Sequence, residues 1–202
     1  MRTFMKLNFL SEQVPDVTTL LKFRHLLEAH KIGEQIFEDL KNRLDKAGLL
    51  MHGGSIVDAT IIHAPSSAKN AKGKRDEEMH QVKKGNQWHF GMKVHAGVVA
   101  GTGFVHTITG TAANVHDSQQ ISELIRPDDE VVYGDSGYLG ASEQEAIQTN
   151  EHPFLIVKRY FGYCKVAYKG IEKNRNRFNL LFTCANLLMC IRAKRALASI
   201  AG

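Results

Sequence analysis

Cysteine is scarce in this sequence, long apolar runs are missing, and acids almost vanish from the last quarter. The three cysteines, Cys164, Cys184 and Cys190, are odd in number and irregularly spaced, which argues against a disulfide framework. Cys184 and Cys190 fall in an apolar helical stretch and read as small buried hydrophobes. No run approaches the roughly 18 apolar residues of a membrane span. The N-terminus, Met-Arg-Thr-Phe-Met-Lys, lacks the apolar core of a signal peptide, so a cytoplasmic location is expected. No internal repeat or low-complexity tract is evident. Zinc is not expected either: His89, His95 and His106 lie in predicted strands without ligand spacing or cysteine companions.

What remains is an ordinary globular composition, 43% hydrophobic and 23% charged over 202 residues, enough for one domain with a real core. Charge is unevenly spread. Residues 1–151 carry 16 Lys and Arg against 20 Asp and Glu, whereas residues 152–202 carry ten bases and one acid, Glu172. A basic C-terminal quarter on an acidic body suits a polyanion partner, and equally a solvated helix surface. Composition leaves both open.

The periodicity predicts a helix over 17–30, with Leu20, Phe23 and Leu27 on one face, and a second over 34–47, with Ile36, Leu40 and Leu44. Gly48 suits the second helix's C-terminal cap. The pair reads as a packing element rather than a DNA-reading hairpin, because neither helix carries a basic stripe. Residues 55–62, Ser-Ile-Val-Asp-Ala-Thr-Ile-Ile, read as a strand. Residues 65–87 read as a mobile polar loop. Strands are expected over 88–99 and 103–111, joined at Gly101-Thr102-Gly103, and Trp88 and His89 at the start read as structural. A helix over 118–126, capped by Asp117, a strand over 130–135, a short helix over 141–148 and a long apolar helix near 178–198 complete the chain. Three hairpin-joined strands and a helical crossover to a fourth predict an α/β fold, an α+β mixed sheet with helical cover.

Two carboxylates occupy telling positions. Asp58 lies in the middle of the first apolar strand and Asp135 at the end of the fourth. An ionised carboxylate among apolar neighbours needs a partner or a metal, and carboxylate oxygens suit Mg²⁺ or Mn²⁺. If those strands are neighbours, both acids meet at one sheet edge. The alternative is that each caps a turn or pairs with a base. Glu151 is a third acid, and Lys158 follows it by seven positions, two turns of a helix, so that both would share a face. Glu151 and Pro153 also fit a simple helix N-terminus, and the two readings are compatible.

The stretches IVDATIIHAPSS, KKGNQWHFGMKVHAG, TAANVHDSQQ, YGDSGYLG and EHPFLIVKRYFGYCKVAYKG, in this order, resemble the bacterial transposases of the insertion sequence five group, from about residue 10 onward. The resemblance implies a ribonuclease H-like catalytic core with an N-terminal helical pair and a helical, basic C-terminus. It implies residues 1–50 as the remnant of an N-terminal domain and 51–202 as the catalytic domain. It implies an Asp-Asp-Glu triad of Asp58, Asp135 and Glu151 that binds two Mg²⁺ or Mn²⁺ ions. The same resemblance places Lys158 at a DNA phosphate and Arg159, Lys165 and Lys169 along the DNA backbone. The implied partners are transposon ends and target DNA, bound as a homo-oligomer in the nucleoid. Asn114 and His116 are implied to support the site.

The sequence departs from that family in two places. The family usually has a longer region before the first helix pair. Only fifteen residues separate Asp135 from Glu151, where the family has several times more. The family's Tyr and Arg, seven and four positions before the Glu, are here Gln144 and Ile147. An internal deletion near 140–151 is expected, removing a strand that a ribonuclease H-like core needs. A displacement of about 1 Å at the third acid can lower a rate roughly 100-fold. The chain is thus expected to be an active transposase, an inactive DNA-binding remnant, or a general nuclease of the same fold.

Overall fold

A computed structural model describes residues 15–67, 73–134 and 151–200, with the backbone alone for Glu151, His152 and residues 195–200. Helix α1 spans Val17–Ala29 and α2 spans Ile32–Lys46. Strand β1 (Gly54–His63) follows, then β2 (His80–Lys84), β3 (Gln87–Val99) and β4 (Val105–Ala112). A 3₁₀ turn over Asp117–Gln120 runs into the short α3 (Ile121–Leu124), and β5 is Val131–Gly134. Helix α4 (Glu151–Leu155) continues as a π turn over Ile156–Tyr160, and the long α5 spans Ile171–Ile200.

The sheet is mixed. β1 and β3 pair antiparallel from Ser55↔Val99 to His63↔Gly91. β4 lies antiparallel to β3, and β5 lies parallel to β1. Alternation splits the sheet into two faces. On one, Ile62, Met92, Val94, Ala96 and Val98 meet Phe154, Val157, Phe178 and Phe182 from the C-terminal helices and Phe37 from α2. On the other, Val57 packs on Leu124 of α3.

Helix α5 reaches the sheet because Phe178, Phe182, Ala185 and Met189 recur at helical spacing on one buried stripe. Its start is held from afar: the Gly170 N–H donates to Asp76 and the Ile171 N–H to Glu78, both at 2.7 Å. Carboxylates at that end also complement the positive pole of the helix dipole. Further along, the Asn186 amide braces β4, accepting from Val105 N–H at 3.0 Å and donating to its carbonyl at 2.8 Å. Helix α2 packs tightly on α5 through Gly33, where an added Cβ would stand 2.5 Å from the Asn176 carbonyl oxygen.

Several expectations change. The loop expected over 65–87 contains β2, which finds its partner in β3, and its acids Asp76 and Glu78 are anchored on α5. Local polarity hid that strand, because only Val82 in it is even partly buried. The predicted face of α1 is not buried: Leu20 and Phe23 are exposed, and no residue of this helix is buried. Helix α2 turns Phe37 and Leu44 inward and leaves Ile36 exposed. Its C-terminus is as expected, with Gly48 in the left-handed region at φ 67°. Cys184 is exposed and Cys190 half-buried, because the buried stripe of α5 runs past them. Asp117 does not cap the following turn. His116 does, accepting from Ser118 N–H, while Asp117 pairs with Lys93 at 2.8 Å. The predicted helix stops early, at Leu124, as the chain extends towards Pro127. The short helix expected over 141–148 lies outside the described residues.

Candidate active site

Asp58 sits in the middle of β1, opposite Ala96 of β3, and is partly buried. One carboxylate oxygen accepts the Ala59 N–H at 2.7 Å. The parallel register of β1 and β5 runs from Gly54↔Val131 to Val57↔Gly134. Asp58 and Asp135 are therefore the residues that follow the two members of the last described pair. The first and fourth predicted strands are indeed neighbours. Asp135 itself lies outside the described residues, as does the side chain of Glu151, whose backbone opens α4.

Lys158 approaches Asp58 from the helical side. Its Nζ donates to Thr60 Oγ1, and Thr60 shares a β1 face with Asp58 two residues earlier. Burial pushes the Lys158 ammonium below the usual lysine range. Nearby Lys84 pushes the same way, while Cys164 and Asp58 oppose it. The π turn makes this approach: Phe161 N–H donates to Ile156 O, five residues back, at 3.1 Å. This wider turn changes the angular step between Glu151 and Lys158 that a regular helix would give, and such insertions often mark functional positions.

Beyond the π turn the chain returns to β1. His63 N–H donates to Cys164 O at 3.4 Å, and Val166 N–H donates to His63 O at 2.8 Å. This brings Lys165 into a bridge with His63. His63 stands 5.0 Å from His89, ring centre to ring centre. Burial, and then His89, Lys158 and Lys165, hold the His63 imidazole below its ordinary pKa. Arg159, Lys165 and Lys169 are exposed. Lys169 lines a cleft of about 230 Å³ with Lys74 and Arg75.

Sequence reasoning named Asp58, Lys158, Arg159, Lys165 and Lys169 but missed Thr60, His63 and Lys84. Thr60 had a signal, its two-residue offset from Asp58. Lys84 had none, because its strand was not recognised. Among the described residues no three His, Cys, Asp or Glu side chains gather as a metal site. The part that is described fits a hard cation in kind: Asp58 offers oxygen from a strand centre, and Lys158 beside it suits an anionic ligand.

No helix among the described residues is long and apolar enough to cross a membrane. No solved structure matches the chain. Residues 50–156, from just before β1 to the first residue of the π turn, match the family described as Transposase DDE domain. That stretch is just over half of the 202 residues and includes Asp58, Asp135 and Glu151, and the chain belongs to the transposase DDE domain family.

Proposed function

We propose that this chain is a DNA transposase of an insertion sequence, of the insertion sequence five group, cutting and joining phosphodiester bonds at transposon ends. The observation that carries the reading is the β1–β5 register, with Asp58 and Asp135 next in line after one pair and Lys158 held over the Asp58 face. A mixed five-stranded sheet, with β1 and β4 antiparallel to β3 and a helical crossover from β4 to β5, parallel to β1, supports a ribonuclease H-like core. Residues 51–202 form its catalytic unit, and residues 1–50 contribute a helical region that packs on it through α2.

Asp58, Asp135 and Glu151 would hold two Mg²⁺ or Mn²⁺ ions. Bound there, the ions supply activation of a water or 3′-hydroxyl and stabilisation of the leaving oxygen. The chain's own groups do the rest. Thr60 fixes the Lys158 ammonium beside the acids, where it grips a phosphate as a point charge. Arg159, Lys165 and Lys169 hold the flanking backbone, which positions DNA without reading its sequence. The protein acts as a homo-oligomer on paired ends in the nucleoid.

One observation favours a second reading. With fifteen residues between Asp135 and Glu151, the chain has little room for the strand that a complete core places there. A chain that binds DNA without cutting it would result. Cleavage of a labelled duplex carrying the element's own end, in Mg²⁺, tests both. Cutting that disappears in Asp58→Ala supports the transposase. Salt-sensitive binding without cutting supports the remnant, and cutting of DNA without transposon ends points to a general nuclease.

A further inference from the structure

Trp88 is the only tryptophan of the chain, and 68% of its surface is exposed. It was expected to be structural, yet it stands on a ribbon that leaves the sheet. β1 pairs with β3 only from Gly91 onward and β4 only from Met92 onward. Residues Gln87–His89 therefore have β2 as their only strand partner among the described residues. The ribbon turns at Gly85, whose φ of 60° a side chain would resist.

The ribbon is cationic on both faces. Lys83 pairs directly across from Trp88, so both stand on one face, while Lys84 pairs with Gln87 and stands on the other. Both lysines are exposed. On the same face as Trp88, Phe90 is half-buried under the Arg75 guanidinium, 5.3 Å from its ring centre. The stem is thus anchored while the tip is open. The ribbon also adjoins the candidate site: His89 touches His63, and the charge of Lys84 is felt at Lys158.

An exposed indole among lysines, with no acid on the ribbon itself (residues 80–89), fits a partner that is anionic and aromatic at once. A nucleic-acid strand with an unstacked base has both properties: its phosphates meet the lysines and its π face meets the ring. We propose that the β2–β3 ribbon is a second DNA contact, in which Trp88 stacks on an unpaired base next to the cleaved bond, Lys83 on the same face holds its phosphate, and Lys84 on the other face holds the adjoining backbone. The inference rests on the DNA-processing reading, which names the substrate but no group that receives a base.

Because Trp88 is the sole tryptophan, its emission reports this contact alone. The full-length protein is titrated with a duplex bearing a short single-stranded overhang and with the same duplex blunt. Binding is followed independently by anisotropy of a labelled DNA strand. The overhang duplex is expected to quench Trp88 emission and shield it from acrylamide, with weaker quenching by the blunt duplex. Trp88→Ala should weaken overhang binding about 10-fold or more, and Trp88→Phe should restore most of it. DNA binding with unchanged emission and an unaffected Trp88→Ala variant would overturn the inference and leave the DNA-processing reading standing. Equal quenching by blunt and overhang duplexes would overturn the unpaired base. Emission that shifts with protein concentration alone would assign the ring to a second copy instead. Absence of any DNA binding would overturn both readings.

Discussion

On the α3 side of the sheet, polar side chains meet one another inside the fold. His106 pairs with Ser55 and His95 with Thr111, both at 2.8 Å, and Lys93 pairs with Asp117. On the α5 side, an apolar core borders half-buried Lys158, which feels the charges of both Asp58 and Lys84, and at the nearby strand end exposed Lys165 lies beside His63. Polar groups that satisfy each other stabilise a fold, whereas like charges brought together do not, and their natural complement is an external anion. The difference separates polar residues that serve architecture from those that serve a substrate, and experiments can attack it from either side.

The largest expected effect is on the architectural side. Burial pushes both His95 and His106 down to about 4, from an ordinary 6.5. Above pH 6.5 both are neutral, folded or unfolded, and contribute nothing to pH dependence. Between pH 6.5 and about 4 the unfolded chain binds protons that the folded chain refuses, so stability falls as pH falls. The displacement corresponds to on the order of 3 kcal/mol for each histidine. Urea unfolding at pH 7 and pH 4.5 should show this loss, and His95→Gln should remove about half of it. A flat profile would mean that these histidines are not held neutral.

On the opposite face, Asp58→Asn should lower Mg²⁺-dependent cleavage by at least about 100-fold, since even residues that only orient a metal ligand reach that range. Its unfolding midpoint should scarcely move. A loss of stability that matched the loss of activity would move Asp58 to the architectural class. Asp117→Asn should show the converse. It weakens a charged hydrogen bond to Lys93 at 2.8 Å, worth about 1–3 kcal/mol, while cleavage per folded molecule stays unchanged.

The sequence made the catalytic face more legible than the architectural one. Asp58 stood out because a charge inside a β-branched run is costly, whereas hairpins and one crossover predicted only a mixed sheet and left the pairing of β1 with β5 as a condition that the structure meets. Lys158 was found by helical spacing, yet the π turn that carries it, and its anchor on Thr60, are products of packing. The polar network around His95 and His106 was invisible, because histidines in strands signal nothing until their partners across β3 and β4 are known. β2 escaped for a related reason. Its residues are nearly all exposed, so it has no buried alternation, and its identity depends on β3. Helix α1 misled in the opposite direction, with apolar periodicity but no fully buried residue.

The smallest effect tests whether the outward cations act as a group of phosphate contacts or as one specific clamp. Arg159 and Lys165 are exposed, and neither appears in a salt bridge among the described residues. Each should therefore contribute through counterion release rather than geometry. Arg159→Ala and Lys165→Ala should each reduce the slope of log K against log salt by about 1, weakening binding equally for matched and unrelated duplexes. Lys158→Ala should differ, because its ammonium is half-buried and fixed by Thr60. It should change cleavage more than salt dependence. If all three variants behaved alike, Lys158 would be one more backbone contact. The contrast would then lie between the two faces alone and not within the catalytic one.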